Sequence, residues 1–119
     1  MIKEFVNYEM ALALKELGFD EPCFDNYNIY GKLWGLRLNK QVKIKGACLA
    51  PTFSQAFRFF REKYKLEGAI YRLNFKWASQ VFNIETSTYC FKHKLFETYE
   101  EAEINSLQKM IKIVKNKSV

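Results

Sequence analysis

The sequence is poor in the residues from which small proteins usually build a metal site or a disulfide framework. Its 119 residues include one histidine, His93, and three cysteines, Cys23, Cys48 and Cys90. The cysteines lie 25 and 42 residues apart, and none belongs to a CxxC pair. A structural zinc ion needs four ligands, usually cysteines and histidines in close pairs, so this spacing argues against one. Three scattered cysteines argue equally against a disulfide framework.

Catalytic patterns are also missing. The five glycines are scattered, which excludes a glycine-rich phosphate loop. The neighbouring acids Glu100 and Glu101 would point to different sides of a helix and so do not form a carboxylate pair. His93 lies between two lysines, and we interpret it as a surface residue of a strand. We therefore predict a protein that is not an enzyme and that needs no cofactor and no metal.

Long hydrophobic runs are absent, and aromatic residues are plentiful. No apolar run approaches the roughly 18 residues that span a bilayer, and the N-terminal sequence MIKEFVNYEM has no signal-peptide core. These absences predict a cytoplasmic protein with no membrane partner. Hydrophobic residues make up 49% and aromatic residues 17% of the chain. That content is sufficient for the core of one domain over residues 1–119.

The first 23 residues predict a helix and its exit. The apolar residues that share one side of a helix over residues 2–17 are Ile2, Phe5, Val6, Met10, Ala13, Leu14 and Leu17, with Tyr8 and Ala11 on the other side. Gly18 predicts the helix end, because glycine accepts left-handed backbone, and Pro22 prevents continuation. Cys23 then follows a helix C-terminus and is flanked by acids, which raise a thiol pKa. We interpret it as a structural thiol.

Two stretches alternate apolar and polar residues with the period of a strand. Residues 27–47 predict a hairpin. The residues that share its apolar face are Leu36, Leu38, Val42 and Ile44. Residues 69–77 and about 82–95 predict a second β region, with its turn at either Ala78–Gln80 or Glu85–Thr88.

Two further helices each open with a capping box. Residues 52–65 begin with the box at Thr52, and residues 98–115 begin with the box at Thr98. Phe59 falls off the apolar stripe of the earlier helix. Together the elements predict an α+β domain in the order helix–hairpin–helix–hairpin–helix, with an antiparallel sheet packed against helices on one side.

The net charge of +6 is concentrated in the middle of the chain. Residues 1–31 carry two basic and six acidic residues, residues 32–96 carry thirteen and three, and residues 97–119 carry four of each. Periodicity places the central cations on a strand face, a helix face and a second strand face. These are Arg37, Lys43 and Lys45; Arg58, Arg61 and Lys65; and Arg72 and Lys76. Two coplanar faces would form an electropositive binding surface, whereas separate faces would only be solvated.

Aromatic residues suggest two kinds of contact. Trp34 and Phe59 are the exposed aromatic contacts that we predict for a protein partner. Tyr71, Phe75 and Trp77 interleave with cations as in RNA-binding sheets, where rings stack on bases. The glycine-containing aromatic strand of that module is absent, and the same three rings would equally form the core face of a sheet.

Three stretches of the sequence carry a resemblance to a known group. They are ALALKELGFDEPCF, PTFSQAFRFFREKYKLEG and YEEAEINSLQKMIKIV, about 48 residues in all. In this order they resemble small proteins encoded by phages and prophages of gut Bacteroidales, although Arg58 and Phe59 precede Phe60 where that pattern often has a Trp. The resemblance implies a cytoplasmic phage accessory protein and transfers no catalytic residue.

These observations favour a non-enzymatic protein of phage origin that binds a host protein or another macromolecule stoichiometrically, as an inhibitor of a host defence protein would. One alternative is a nucleic-acid-binding protein that uses the basic segment 32–96. Another is a binder of anionic nucleotides, which would need a closed pocket.

Overall fold

The computed structural model describes residues 4–35 and 37–117, which leaves Ile2 and Leu36, both assigned above to apolar faces, outside the described residues. Within this part of the chain, three α-helices and six strands form an α+β fold in which antiparallel sheets pack against helices, as predicted. The chain divides into two compact units, Met1–Ala56 and Phe57–Val119. The expectation of one domain stays a prediction.

Helix α1 of the first unit spans Tyr8–Glu16 and begins later than predicted. Asn7 is its N-cap, because its side-chain oxygen accepts the backbone N–H of Met10 at 2.9 Å. The chain before Asn7 is engaged elsewhere, since Phe5 forms an antiparallel bridge with Thr52. The predicted start of the helix at residue 2 is therefore wrong, because Phe5 pairs with a distant residue instead of continuing the helix.

The exit from α1 follows the prediction. Gly18 has a φ of 96°, and the N–H of Phe19 returns to the carbonyl oxygen of Leu14 at 2.9 Å. Ala11 is buried, although the sequence pattern placed it on the exposed side, and Ala13 is only half-buried. The buried side is thus rotated slightly from the predicted stripe.

Strands β1 (Asp25–Tyr27) and β2 (Cys48–Ala50) form a two-stranded antiparallel sheet in the first unit. Asn26 is opposite Leu49 at its centre, and all three residues of β2 are buried. Helix α1 packs on β2. The two strands are thus joined by a connection of 20 residues, 28–47.

The hairpin predicted over residues 27–47 is wrong. Its described residues form a loop in which isolated bridges join Tyr27 to Leu33 and Cys23 to Leu38. Alternating hydrophobicity requires a partner strand to become a sheet, and here β1 and β2 pair with each other instead. The predicted order of helices and hairpins is accordingly not confirmed in detail.

Helix α2 spans Phe53–Phe59 and continues as a π-helical turn over Phe60–Tyr64, within the range predicted as one helix. The predicted capping box is confirmed. Thr52 Oγ1 accepts the N–H of Gln55 at 3.2 Å, and Gln55 Oε1 accepts the N–H of Thr52 at 3.0 Å.

The last residue of α2 is more buried than the predicted stripe implied. Phe59 is only 6% exposed, and its ring meets those of Phe60 and Tyr64 edge-on at 5.4 and 5.7 Å between centroids. The prediction that Phe59 is an exposed contact is therefore wrong.

The second unit contains a four-stranded antiparallel sheet. Its strands are β3 (Leu66–Leu73), β4 (Lys76–Asn83), β5 (Thr88–Tyr89) and β6 (Lys94–Phe96). β3 pairs with β4, and the short strands β5 and β6 pair with β4 at different positions along it. The stretch of about 82–95, predicted as part of the second β region, thus contains the end of β4, all of β5 and the start of β6, with residues 90–93 between β5 and β6.

The hairpin turn between β3 and β4 lies within residues 69–77, which the alternating pattern predicted as strand. Asn74 and Phe75 are its two central residues, and both have positive φ, which defines a type I′ turn. Ala78–Gln80, one of the two predicted turns, lies within β4 and is buried. The other predicted turn, Glu85–Thr88, overlaps the observed turn at residues 84–87.

Helix α3 (Tyr99–Lys117) packs on one face of this sheet. Ser79 Oγ and Ser106 Oγ lie 2.7 Å apart, and the rings of Trp77 and Tyr99 meet edge-on at 5.1 Å. The predicted capping box opens the helix.

In that box, Thr98 Oγ1 accepts the N–H of Glu101 at 3.1 Å, and Glu101 Oε1 accepts the N–H of Thr98 at 3.1 Å. The predicted range of 98–115 therefore agrees with the observed helix to within two residues. Local sequence alone specifies this helix start.

The turn residue Phe75 gives a stability test. Left-handed backbone costs residues other than glycine about 1–2 kcal/mol, and packing offsets little of that cost because Phe75 is 94% exposed. We expect Phe75→Gly to raise the free energy of unfolding by about 0.5–1 kcal/mol, after allowing for the extra unfolded-state entropy of glycine. Urea unfolding followed by circular dichroism measures the change. Phe75→Ala keeps a Cβ and should give no gain; an equal gain in both variants would contradict the role of backbone strain.

Candidate functional site

Three of the predicted surface cations lie together with Trp34 in one loop of the first unit. We call residues 28–47 the basic loop. Arg37, Lys43 and Lys45 are all exposed there. They do not share a strand face as predicted, because the described residues of the loop form no strand.

The three cations of the predicted helix face lie where the helix changes type. Arg58 is in the last turn of α2, and Arg61 and Lys65 lie within and just after the π-helical turn. Arg61 Nη1 is 3.4 Å from Glu67 Oε1, and Lys65 Nζ donates to the carbonyl oxygen of Glu62 at 3.1 Å. Arg61 and Lys65 therefore make contacts within their own unit that compete with a partner.

Arg72 and Lys76 lie on opposite faces of the β3–β4 hairpin, so the prediction of a shared face is wrong. The turn falls between them, which pairs Arg72 with Trp77 and Lys76 with Leu73. The Arg72 guanidinium carbon is 4.9 Å from the centroid of the Trp77 ring. Lys76 Nζ is 2.7 Å from Glu97 Oε1, and this bond holds the pKa of Glu97 below its usual value.

The rings compared above with those of RNA-binding sheets do not share a face either. Trp77 contacts α3 through Tyr99, Tyr71 lies on the opposite face of the sheet, and Phe75 is in the turn. The three-ring basis of that comparison is therefore wrong.

The basic loop exposes apolar side chains that a small protein normally buries. Tyr30 is 79% exposed and Trp34 is 46% exposed. The aliphatic residues Ile29 and Ile44 are exposed as well. Exposed apolar residues that cluster in sequence mark a contact surface more often than scattered single ones do.

The charge of the basic loop has one sign. Its cations, all exposed, are Lys32, Arg37, Lys40, Lys43 and Lys45. The sequence contains no Asp or Glu between Asp25 and Glu62. The loop therefore presents positive charge without acids of its own to neutralise it.

Phe24 extends the surface at the base of the loop. Its ring is exposed, and the Arg37 guanidinium carbon lies 5.1 Å from the ring centroid. Such a cation–π contact orients the guanidinium and still leaves its edge available for a carboxylate or phosphate.

Side chains and backbone groups together satisfy the peptide groups at the start of the basic loop. The N–H of Asn28 donates to the carbonyl oxygen of Lys32 at 2.8 Å, and the N–H of Trp34 donates to that of Asn26 at 3.0 Å. Asn28 Oδ1 accepts the N–H groups of Tyr30 and Lys32 at 2.9 and 3.1 Å. Asp25 Oδ1 accepts the N–H of Gly35 at 2.6 Å. These contacts are characteristic of Asn and Asp in turns, and they fold the start of the loop back toward β1.

Gln41 holds the middle of the loop. Its Nε2 donates to the carbonyl oxygen of Phe19 at 2.9 Å, and its Oε1 accepts the N–H of Leu49 at 2.8 Å. Its backbone N–H donates to the carboxylate of Asp20. One residue thus connects the loop to the exit from α1 and to β2.

Helix α1 holds the end of the loop. The Tyr8 hydroxyl donates to the carbonyl oxygen of Gly46 at 2.6 Å. Lys15 Nζ donates to the carbonyl oxygens of Ala47 and Ile44 at 2.7 and 3.0 Å. The exposed aromatic and basic side chains therefore project from a loop that is anchored at its start, middle and end.

Cys23 and Cys48 are buried in the same unit and do not form a reactive centre. Burial, together with the Glu21 carboxylate and Cys48, raises the pKa of Cys23 to about 12. Burial raises the pKa of Cys48 to about 11. These values agree with the interpretation of Cys23 as a structural thiol. In residues 4–35 and 37–117, no group of three or more His, Cys, Asp or Glu side chains is placed to hold a metal ion.

No protein-family model, curated protein or solved structure matches this chain. The resemblance to phage-encoded proteins therefore stays a prediction. Among the described residues, no helix has both the length and the apolar character needed to cross a membrane.

The sequence reasoning missed part of the basic loop. It selected Trp34, Arg37, Lys43 and Lys45 but not Tyr30 or Ile44. The acid-free run from residue 26 to 61 was the available signal for the charge. Nothing in the sequence indicated that Ile44 is exposed, because its position in the alternating pattern predicted that it would be buried.

The thiols give a direct test of burial. With N-ethylmaleimide at about pH 8, we expect the folded protein to take one label, at the exposed Cys90, and the denatured protein to take three. Peptide mass spectrometry identifies the labelled residues. The variant Cys90→Ser should take none when folded, and rapid labelling of Cys23 in the folded chain would contradict its burial.

The same pKa values predict a loss of stability in alkali. Cys23 and Cys48 titrate above their ordinary value of 9.0 when folded, so the unfolded chain loses these protons first. The free energy of unfolding contributed by the thiols should therefore fall as pH rises above about 9. Urea unfolding at several pH values measures this. Cys23→Ala should reduce the slope, and an unchanged slope would contradict the assignment.

Proposed function

We propose that this protein is a non-enzymatic binding protein that forms a stoichiometric complex with an acidic surface of another protein through its basic loop. One observation carries the proposal: exposed aromatic side chains and five exposed cations, with no acid, share one anchored loop. Aromatic residues and arginine are enriched at protein interfaces. Charge complementarity raises the rate of encounter and selects against basic partners.

Anchoring supports this proposal energetically. A mobile loop loses conformational entropy when it binds, and that loss weakens the complex. Here the contacts of Tyr8, Lys15 and Gln41 hold the loop before any partner arrives. The conformational entropy of the loop is thus lost when the first unit folds, so less of it remains to be lost when a partner binds.

The aliphatic side chains favour a protein partner over a nucleic acid. Ile29 and Ile44 are about half exposed, at 49% and 55%. Branched aliphatic groups fill apolar pockets on proteins, whereas they cannot stack on bases as rings do. A protein surface with an apolar pocket next to carboxylates would complement both the aliphatic side chains and the positive charge of the basic loop.

The resemblance to phage-encoded proteins supports a biological setting. It rests on the three helical stretches quoted above, and it suggests an accessory protein that works in the host cytoplasm. In this setting the partner is a host protein, and stoichiometric binding without catalysis is how an inhibitor of a host defence protein would act.

A second candidate function is binding of single-stranded nucleic acid by the same loop. The observation in its favour is the contact of Arg37 with the Phe24 ring, since Arg37 belongs to the loop that also exposes Tyr30 and Trp34. Rings that stack on bases and cations that contact phosphates are the two parts of a sequence-tolerant single-strand site. Such binding weakens steeply with salt.

Site-specific photo-crosslinking tests the proposal. A benzophenone amino acid at position 30, in place of Tyr30, should give a discrete protein adduct in a lysate of gut Bacteroidales cells, and the adduct should survive nuclease digestion. Charge reversal by Lys43→Glu with Lys45→Glu should lower the yield about tenfold or more, because like charges repel across an interface. Mass spectrometry of the adduct identifies the partner.

Matched controls distinguish an effect of the basic loop from an effect of the protein's net charge. Lys112→Glu with Lys117→Glu makes the same change in net charge on exposed residues of α3 and should leave the yield unchanged. The crosslinker at Tyr99, an exposed tyrosine of the second unit, should give no adduct of that mass. Equal adducts from both positions would contradict the proposal, and an adduct that nuclease removes would favour the second candidate.

A further inference from the structure

The second unit carries a groove on the sheet face opposite α3. Its volume is about 450 Å³, and it is a groove largely open to solvent rather than a closed pocket. The residues that line it are Tyr71, Gln80, Tyr89, Phe91, Lys92 and His93. None of these belongs to the basic loop.

The groove exists because one edge of the sheet is interrupted. β5 pairs with Phe82 and Asn83 of β4, and β6 pairs with the stretch 77–79, so residues 90–93 leave the edge between them. The N–H of Cys90 still donates to the carbonyl oxygen of Val81 at 2.9 Å. The departing segment therefore starts from a fixed point and forms one wall of the groove.

Gln80 fixes two sides of the groove from below. It is 3% exposed and lies in the centre of β4. Its Nε2 donates to the carbonyl oxygen of Phe91, and its Oε1 is 3.4 Å from the Tyr71 hydroxyl. A buried amide that holds both a wall and a ring is a positioning residue, and it gives the groove a defined shape.

Two tyrosine rings are presented to solvent in the groove. Tyr89 is 65% exposed, and its orientation is set by an edge-on contact with Phe82 at 5.2 Å between centroids. Tyr71 is exposed on the same sheet face, on strand β3, which β4 separates from β5. Exposed, oriented rings on a sheet are the feature on which bases stack.

The wall of the groove supplies charge. Lys92 is exposed and His93 is half-buried, and both side chains line the groove. The ammonium group of Lys92 is a hydrogen-bond donor for an anion, and the imidazole of His93 adds an N–H donor. The tyrosine rings and the hydrogen-bond donors Lys92 and His93 together match a ligand that has a planar ring at one end and an anionic group at the other.

We infer that this groove binds a nucleotide, with the base stacked on Tyr71 or Tyr89 and the phosphate held by Lys92 and His93. Because the groove is largely open to solvent, we take this nucleotide to be one residue of a single strand. A free mononucleotide offers the same chemistry, and the titration distinguishes the two. The inference is independent of the proposed function, because it uses different residues in the other unit.

The test is a titration of the full chain, labelled with ¹⁵N, with the four ribonucleoside 5′-monophosphates and with a uridine octamer at about 50 mM salt. We expect amide shifts at Tyr71 and at residues 89–93. Saturation by a monophosphate identifies a free nucleotide as the ligand, and saturation by the octamer alone identifies a single strand. Both results support the groove.

Variants separate stacking from folding. Tyr89→Ala should weaken binding about 5- to 150-fold, the range for loss of one base–ring stack, whereas Tyr89→Phe keeps the ring and should bind as the wild type does. Lys92→Glu should abolish binding. Tyr99→Ala, at an exposed tyrosine outside the groove, should have no effect.

Three results would overturn the inference. One is the absence of groove shifts with both probes at low salt. Another is unchanged affinity in both Tyr89→Ala and Lys92→Glu. The third is a set of shifts confined to the basic loop, which would instead support its role as the nucleic-acid surface.

Discussion

The first unit depends on side chains that satisfy the backbone of a 20-residue connection. Buried or half-buried peptide groups need hydrogen-bond partners, and the described residues of the basic loop form only isolated bridges, between Tyr27 and Leu33 and between Cys23 and Leu38. Tyr8 and Lys15 of α1, and Asn28 within the loop, supply the further partners. The same contacts fix the exposed aromatic and basic side chains, so the fold of this unit and its candidate binding surface share one origin.

The elements predicted well are those specified by neighbouring residues. The capping boxes at Thr52 and Thr98 use side chains three residues apart, and the exit at Gly18 uses one residue with no Cβ. The failures depend on distant or unusual structure. The pattern of residues 36–45 predicted a strand but carried no information on a partner strand. Phe59 is buried, and its ring contacts those of Phe60 and Tyr64 in the π-helical turn, which no sequence pattern indicated.

The part of the candidate site that could be predicted from the sequence is its positive charge and some of its aromatic residues. Trp34, Arg37, Lys43 and Lys45 were selected from the basic middle of the chain. The hairpin turn at Asn74 and Phe75 was missed because the alternating pattern of residues 69–77 outweighed the turn preference of Asn74. That turn placed Arg72 and Lys76 on opposite faces. The groove at Tyr89 could not be predicted from the sequence, because it depends on how β5 and β6 pair with separate parts of β4.

Amide hydrogen exchange on the full chain, measured by NMR, tests most directly whether side chains hold the basic loop. The amides of Gly35 and Gln41 donate to the carboxylates of Asp25 and Asp20. The account predicts that both exchange slowly in the wild type, and that Asp20→Ala releases Gln41 while Gly35 stays protected. Exchange of both amides as fast as in an unfolded peptide of the same sequence would contradict it, and the basic loop would then not be a preformed binding surface.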